Sequence, residues 1–374
     1  MIYFDNAATG FPKSGRVLAA MTKAYGLCGN PGRSGHAPAI YAAEKLYECR
    51  ETLAAFFGTA PERVILTPSA TIALNMAIKG FAQNKVVTSS VEHNAVFRPL
   101  YSMWQRGRAD LSFFDAGGTD EQIVQRFTAS LEGAYTAVFI HASNVNGRIL
   151  PLREMVTEAH KSGVTTIIDA SQSAGHINLS VKDSGADIIC IAGHKGLYGP
   201  LGTGAMLINP SFDMFAETII EGGTGIRSLD SEMPEEYPEH FEAGTMNAPA
   251  FAALAEAVRE TEEEGLGDDR IFAKLYESLK SMKNVTVHGG PEYGYDKYVP
   301  VLLFNIRKRN CDEAMTYLAA RGICVRSGFH CAPLAHKALG TENGGIRVSV
   351  GRKNTLKEAD VLIDEIHRIA KSVS

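Results

Sequence analysis

The chain has 374 residues, 45% of them hydrophobic and 21% charged, which excludes a wholly disordered or collagen-like protein and suits two domains, or one large α/β domain with an appendage. A net charge of -5, with no Lys/Arg-rich run, leaves no footprint for nucleic acid, and no apolar run approaches the ~20 residues of a membrane span. Six cysteines without a CxxC pair, in a chain too large to need disulfide staples, suggest a reducing cytoplasm.

The opening, Met1-Ile-Tyr-Phe-Asp-Asn, has no basic start followed by an apolar stretch and does not read as a signal peptide. An amphipathic helix is predicted from Ala39 to Phe57, with Leu46, Leu53 and Phe57 on one stripe. Short β-rich runs then alternate with helical stretches: 63–66, 85–88, 111–114, 137–141, 165–168, 188–191 and 205–208. Several are continuously apolar, as in strands covered on both faces, so a mostly parallel seven-stranded sheet is expected. After about residue 250 the pattern changes to two helices, then strands near Val285, Val301 to Ile306, Cys324 and Ile346 to Val350. These predict a smaller α+β C-terminal domain (251–374) beside a large domain (15–250). Thr355-Leu-Lys-Glu358 opens the last helix as a capping box, and the Gly-rich segments 222–225 and 289–294 read as loops.

Two strand ends carry the chemistry. The run 165–168 ends in Asp169, and 26 residues later Ala192-Gly-His-Lys195 follows another apolar strand. The carboxyl edge of such a sheet is where ligands bind. A lysine and a carboxylate at neighbouring strand ends suit pyridoxal 5'-phosphate (PLP), the lysine holding the cofactor as a Schiff base and the carboxylate keeping the pyridinium nitrogen protonated. Either residue alone would read as a solvated loop lysine or a helix-starting aspartate.

The surrounding motifs decide between those readings. Tyr3-Phe-Asp-Asn-Ala-Ala8, Asn30-Pro-Gly-Arg-Ser-Gly-His36, Glu92-His-Asn-Ala95, Ser143-Asn-Val145, Asp169-Ala-Ser-Gln172, Gly193-His-Lys195, Phe241-Glu-Ala-Gly-Thr245, Arg326-Ser-Gly-Phe-His-Cys-Ala-Pro333 and Gly345-Ile-Arg347 occur in that order along nearly the whole chain. Together they resemble the class V aminotransferases of fold-type I PLP enzymes, and within them the cysteine desulfurases of type II, the short-loop branch that is similar to selenocysteine lyases.

The resemblance implies that His93 stacks on the PLP ring, that Asn144 bonds the ring hydroxyl and helps bind substrate, and that Gln172 holds the same edge. It places the phosphate on Ser69-Ala70-Thr71 at a helix start, with His194 as a side-chain partner. Ala192 departs from the family, which often has Ser or Thr there, so one phosphate hydrogen bond is expected to be missing. Thr245 would reach the phosphate of a neighbouring subunit, implying a homodimer, and residues 1–14 would lie near the active site. Arg347 would grip the substrate carboxylate, as a planar guanidinium can.

Cys331 would accept sulfur. It lies between turn-forming Ser327-Gly328 and Pro333, near His330 and a cationic site that would favour its thiolate, whereas the other five cysteines lie in or beside helix and strand patterns and read as inert. The implied reaction turns L-cysteine into L-alanine, with Lys195, Cys331 and His93 catalytic, Cys331 carrying a persulfide, and a sulfur-carrier or iron-sulfur assembly protein as acceptor. No metal site is expected. Open alternatives are a selenocysteine lyase acting on L-selenocysteine, a class V aminotransferase or lyase that does not use Cys331, and a non-catalytic scaffold; the set Lys195, Asp169, His93 and Arg347 argues against the last.

Overall fold

The computed structural model describes residues 1–32, 35–265 and 269–372. Arg33 and Ser34 of the Asn30 to His36 motif lie outside the described residues.

A short strand β1 (Ile2–Tyr3) precedes helices α1 (Gly15–Leu27) and α2 (Ala37–Phe57). Helix α2 starts two residues before its predicted beginning. His36 caps it, Nδ1 accepting from Ala39 N–H at 3.3 Å, and Pro38 occupies the first turn, where no backbone donor is needed. Its stripe of Leu46, Leu53 and Phe57 is buried.

Strands and helices then alternate: β2 (Val64–Thr67), α3 (Ala70–Phe81), β3 (Asn84–Ser89), α4 (Asn94–Gln105), β4 (Ala109–Phe114), α5 (Asp120–Ser130), β5 (Thr136–Ile140), α6 (Leu152–Lys161), β6 (Thr165–Asp169), α7 (Val181–Ser184), β7 (Ile188–Ala192) and β8 (Gly204–Ile208). The strands form one sheet in the order β2-β8-β7-β6-β5-β3-β4. All seven predicted runs are in it, and it is mostly parallel, with only β8 running against its neighbours β2 and β7. Every residue of β5, β7 and β8 is buried, because successive side chains feed separate cores on the two faces: Val64 and Leu66 one, Ile65 the other.

Helix α8 (Ala248–Glu264) begins before residue 250 and packs on α1 and α2, its Phe251, Leu254 and Val258 joining a core of the large sheet. Beyond it come α9 (Asp269–Ser281), β9 (Val285–Val287), β10 (Val301–Ile306), α10 (Cys311–Ala319), β11 (Ile323–Cys324), β12 (Arg326–Gly328), α11 (Pro333–Ala338), β13 (Gly345–Ser349) and α12 (Leu356–Lys371). Strands β12-β13-β10-β9 make an antiparallel sheet with its own core, which includes Phe272, Leu275, Phe304, Ile346 and Leu362. Strand β12, Arg-Ser-Gly, has no apolar pattern that would announce it, and forms because β13 offers a free edge at its side. The predicted capping box is present, Thr355 Oγ1 accepting from Glu358 N–H at 3.2 Å while the Glu358 carboxylate accepts from Thr355 N–H at 2.8 Å. Strand β1 pairs in parallel with β11, tying the start of the chain to its last third. Among the described residues no helix is long and apolar enough to cross a membrane.

Candidate active site

Strand β8 runs against both neighbours, so β2 points the same way as β7, and the carboxyl ends of β2, β3, β5, β6 and β7 share one edge. Chain order reverses on either side of β3, which lies between β4 and β5; such a switch point opens a crevice at the strand ends. A cavity of about 220 Å³ occupies it, room for a small organic molecule rather than a few waters. Ser69, Ala70 and Thr71 line it after β2, His93 after β3, Asn144 after β5, Asp169 at the end of β6 and Gln172 beyond it, and Ala192 at the end of β7 with His194 and Lys195 beyond it. Arg326, His330, Cys331 and Arg347 close it from the small sheet, and Ala7 and Ala8 from the N-terminal segment. Every site residue expected from the sequence is there except Thr245, which lines a separate open cleft with Tyr47, Arg50 and Glu242.

Local structure fixes each group. Asp169 Oδ1 accepts from Ser171 N–H at 2.9 Å and also from the Ser171 hydroxyl, an Asx-turn in which a serine two residues on orients the carboxylate. Lys195 is pushed down to about 8, chiefly by burial, with Arg347 and Arg326 acting the same way and Asp169 opposing. The carbonyl of His194 accepts from Gly10 N–H and Lys13 Nζ, both at 2.9 Å, so the N-terminal segment braces the turn that carries Lys195. His93 caps α4, Nδ1 accepting from Ala95 N–H at 3.0 Å, which leaves the ring proton on Nε2. Burial first and Lys195 second lower its pKa to about 4, so the ring is neutral near pH 7. Ser69 caps α3 through Ile72 N–H, leaving the helix's other early amides beside the cavity.

Among the described residues, four buried polar atoms on lining residues have no hydrogen-bond partner: Asn144 Oδ1, Gln172 Oε1, His194 Nδ1 and Arg347 Nε. An orphaned buried group costs about 1 to 3 kcal/mol, so four in one cavity mark a place built for a polar ligand. The other ends of these side chains are anchored. Asn144 Nδ2 donates to His330 O at 2.7 Å, Gln172 Nε2 to Ala7 O at 2.9 Å, and Arg347 donates to Asn144 O at 3.0 Å and to Asp5 Oδ1 at 2.8 Å.

Cys331 is exposed, unlike Cys49, Cys190 and Cys311, which are buried. It sits in the four-residue connection 329–332 between β12 and α11, with His330 and Cys331 both in the left-handed region at φ 52° and 55°.

Residues 2–362 match the family model described as Aminotransferase class-V. The chain belongs to the class V aminotransferase family. Within that family it is similar to a probable cysteine desulfurase of Methanothermobacter thermautotrophicus, 29% identical over 99% of this chain and 94% of the relative. A probable cysteine desulfurase of Pyrococcus abyssi is 30% identical over 100% of this chain and 95% of its own length. Among solved structures, the apo cysteine desulfurase of Thermococcus onnurineus NA1 superposes with a TM-score of 0.90 at 29% identity, over 99% and 95% of the two chains.

Motif reading missed how the class V cavity is held together. Asp5, which grips Arg347, and Ser171, which grips Asp169, lie inside the quoted motifs, and the Asp-x-Ser spacing of an Asx-turn was a usable signal for Ser171. Arg326 reaches the cavity because β12 registers it opposite Arg347 on β13, a pairing that no local signal announces.

Proposed function

We propose that this chain is a PLP-dependent cysteine desulfurase of the short-loop type II branch, converting L-cysteine to L-alanine and holding the sulfur as a persulfide on Cys331. One observation carries the reading: the exposed Cys331 thiol lines the same cavity as Lys195, Asp169 and Arg347. The four-residue connection that holds Cys331 supports the short-loop assignment.

The lining residues fit the cofactor. The N-terminus of α3 and the orphaned His194 Nδ1 suit its phosphate, Asn144 Oδ1 and Gln172 Oε1 suit polar groups on its ring edge, and Asp169 suits a protonated ring nitrogen. When bound, PLP supplies an electron sink that makes the substrate's Cα proton and sulfur removable. The chain's own groups do the rest. Lys195, held near 8, is the residue to anchor the cofactor and then to move a proton at the substrate Cα. Neutral His93, which lines the cavity, would lie against the cofactor ring. Arg347 has its Nε free for the substrate carboxylate. Cys331 Sγ, as thiolate, attacks the substrate sulfur: the C–S bond breaks, an S–S bond forms, and protonation of the carbon left behind gives alanine. The sum is L-cysteine plus thiol giving L-alanine plus persulfide, after which an acceptor thiol takes the terminal sulfur. Thr245, outside its own subunit's cavity, is proposed to complete the phosphate site of a second copy in a homodimer.

The deciding experiment incubates the cofactor-loaded protein with L-cysteine and follows alanine release and the mass of the Cys331 peptide. A gain of one sulfur atom on Cys331 is expected, with Cys331→Ala keeping the cofactor's visible spectrum but losing cysteine-dependent alanine. Borohydride should fix the cofactor to Lys195. Alanine release by Cys331→Ala at the wild-type rate, with no added sulfur on Cys331 in the wild type, would overturn the proposal.

A further inference from the structure

Two consecutive non-glycine residues in the left-handed region are uncommon, and such a corner persists only where its surroundings over-determine it. His330 O is bonded by Asn144 Nδ2 and Cys331 O by Asn94 N, each at 2.7 Å. The third brace is a row of side chains that the reaction itself does not use. His330 Nδ1 lies 3.1 Å from His336 Nε2, with the ring planes 15° apart, and His336 Nδ1 lies 2.8 Å from Thr341 Oγ1. At the other end, His330 Nε2 is 3.4 Å from the Arg326 carbonyl. All three side chains are buried.

Ring nitrogens 3.1 Å apart can bond only if one donates and the other accepts, so at least one ring is neutral, because an imidazolium has no acceptor. Burial lowers the pKa of both histidines, His330 to about 3, which keeps the pair neutral. Arg326 O can only accept. In one order the Thr341 hydroxyl donates to His336 Nδ1, His336 Nε2–H to His330 Nδ1, and His330 Nε2–H to Arg326 O; in the other, His336 Nδ1–H donates to the Thr341 carbonyl, 3.2 Å away, and His330 Nδ1–H to His336 Nε2, and in both the two rings are bonded to each other and His336 to Thr341. The row therefore ties α11, which carries His336, to the residue that precedes Cys331. Charge on His288 also disfavours a positive charge on His336.

We propose that His336 is a positioning residue for sulfur transfer: anchored by Thr341, it holds the His330 ring and thereby the left-handed corner that presents Cys331 Sγ to the cavity. The proposal rests on Cys331 being the sulfur acceptor. A nucleophile displaced by an ångström loses about a hundred-fold in rate, whereas Arg347 on β13 is held by Asp5 and the Asn144 carbonyl and makes no bond to His336 or Thr341.

The test compares His336→Leu, which keeps the bulk and removes the ring bonds, with His336→Gln, whose amide can still donate to His330 and accept from Thr341. In cofactor-loaded protein, single-turnover persulfide formation on Cys331 and alkylation of Cys331 by iodoacetamide are measured beside the KM for L-cysteine. His336→Leu is expected to slow persulfide formation about ten- to a hundred-fold and to change the alkylation rate, with KM within about two-fold, and His336→Gln to recover most of the rate. Wild-type persulfide kinetics in His336→Leu, a KM that rises as the rate falls, or a Gln variant no better than Leu would overturn it. If His336→Leu does not fold, His336→Met carries the same test, with slowing of about ten-fold or more expected and a wild-type rate as the contrary result. An unaffected Cys331→Ala would instead remove the desulfurase reading on which the proposal stands.

Discussion

With Asp5 Oδ1 at 2.8 Å and the Asn144 carbonyl at 3.0 Å, the Arg347 guanidinium is held on two sides while its Nε stays unbonded. Fixing a long cationic side chain costs entropy, and here the fold supplies that ordering before substrate arrives, leaving a donor of fixed direction for a carboxylate. Burial lowers the arginine's pKa and Asp5 raises it, so the ion pair offsets the penalty of taking the cation out of water. Arg347→Ala should therefore raise the KM for L-cysteine by about thirty-fold or more, in line with roughly 2 to 5 kcal/mol for a charge left without its partner. The visible spectrum of the bound cofactor should not change, since Arg347 is proposed to touch substrate alone. Steady-state kinetics beside an absorbance spectrum check this, and an unchanged KM would remove Arg347 from substrate binding.

Among the elements, the turn from β3 into α4 holds both a cavity residue and a buried acid. His93 caps α4, while Glu92, immediately before it, is fully buried, its Oε1 accepting from Ile140 N–H at 3.0 Å and from the backbone and hydroxyl of Ser89. Glu92 thus pins the β3–α4 turn to the end of β5. Burial pushes its pKa up from 4.5 to about 8, against the hydrogen bonds from Ser89 and Ile140. In the unfolded chain the group ionises near 4.5, so the folded state holds a proton that the unfolded state has lost between about 4.5 and 8. This contribution to stability is full below the lower value and is lost as the pH rises through the upper one. Glu92→Gln, which is neutral at every pH, should lack that slope. Relative to Glu92→Gln, the wild type should lose stability as the pH is raised from about 5 to about 8.5, by of order a few kcal/mol at most. Denaturant unfolding of both proteins at a series of pH values measures the difference, and parallel stability curves would contradict it.

At the scale of the whole molecule, the cavity exists because three distant parts of the chain meet at one sheet edge: the β2 to β7 strand ends, the paired strands β12 and β13 with the loop after β12, and the N-terminal segment. The pairing of β1 with β11 and the Asp5 to Arg347 ion pair lock the last two together. Thr245 lies apart, in a cleft lined also by Asn30, Tyr47, Arg50 and Glu242, and a two-fold dimer is the commonest way for such a surface to complete a site elsewhere. If it does, Lys195→Ala and Thr245→Ala homodimers, each impaired for a different reason, should regain activity when denatured and refolded together, since a mixed dimer keeps one site with both residues intact. The regain should approach a quarter of wild-type activity, given random pairing and one good site in half of the dimers. Mixtures no more active than the sum of the two variants would place Thr245 outside the partner's site.

Local pattern in this sequence was enough for the elements and for the chemistry at the strand ends. Short β-rich runs marked the seven strands, several of them continuously apolar because a strand covered on both faces has no polar side to show. A capping box marked α12, because both of its bonds lie within four residues. Lys195 and Asp169 were legible for a related reason, since each lies at or just beyond the end of an apolar run, whereas His93 and Asn144 were marked only by the resemblance to the class V family. Strand order, the reversed direction of β8, the existence of β12 and the bonds of Asp5 to Arg347 and of His336 to His330 were decided only by the tertiary structure. These depend on which edges and faces remain free once the cores have packed, and the partners of Asp5 and Asn144 lie 342 and 186 residues away. His336 to His330 spans only six residues, yet it forms because β13 holds β12 and so fixes the chain on which Cys331 turns.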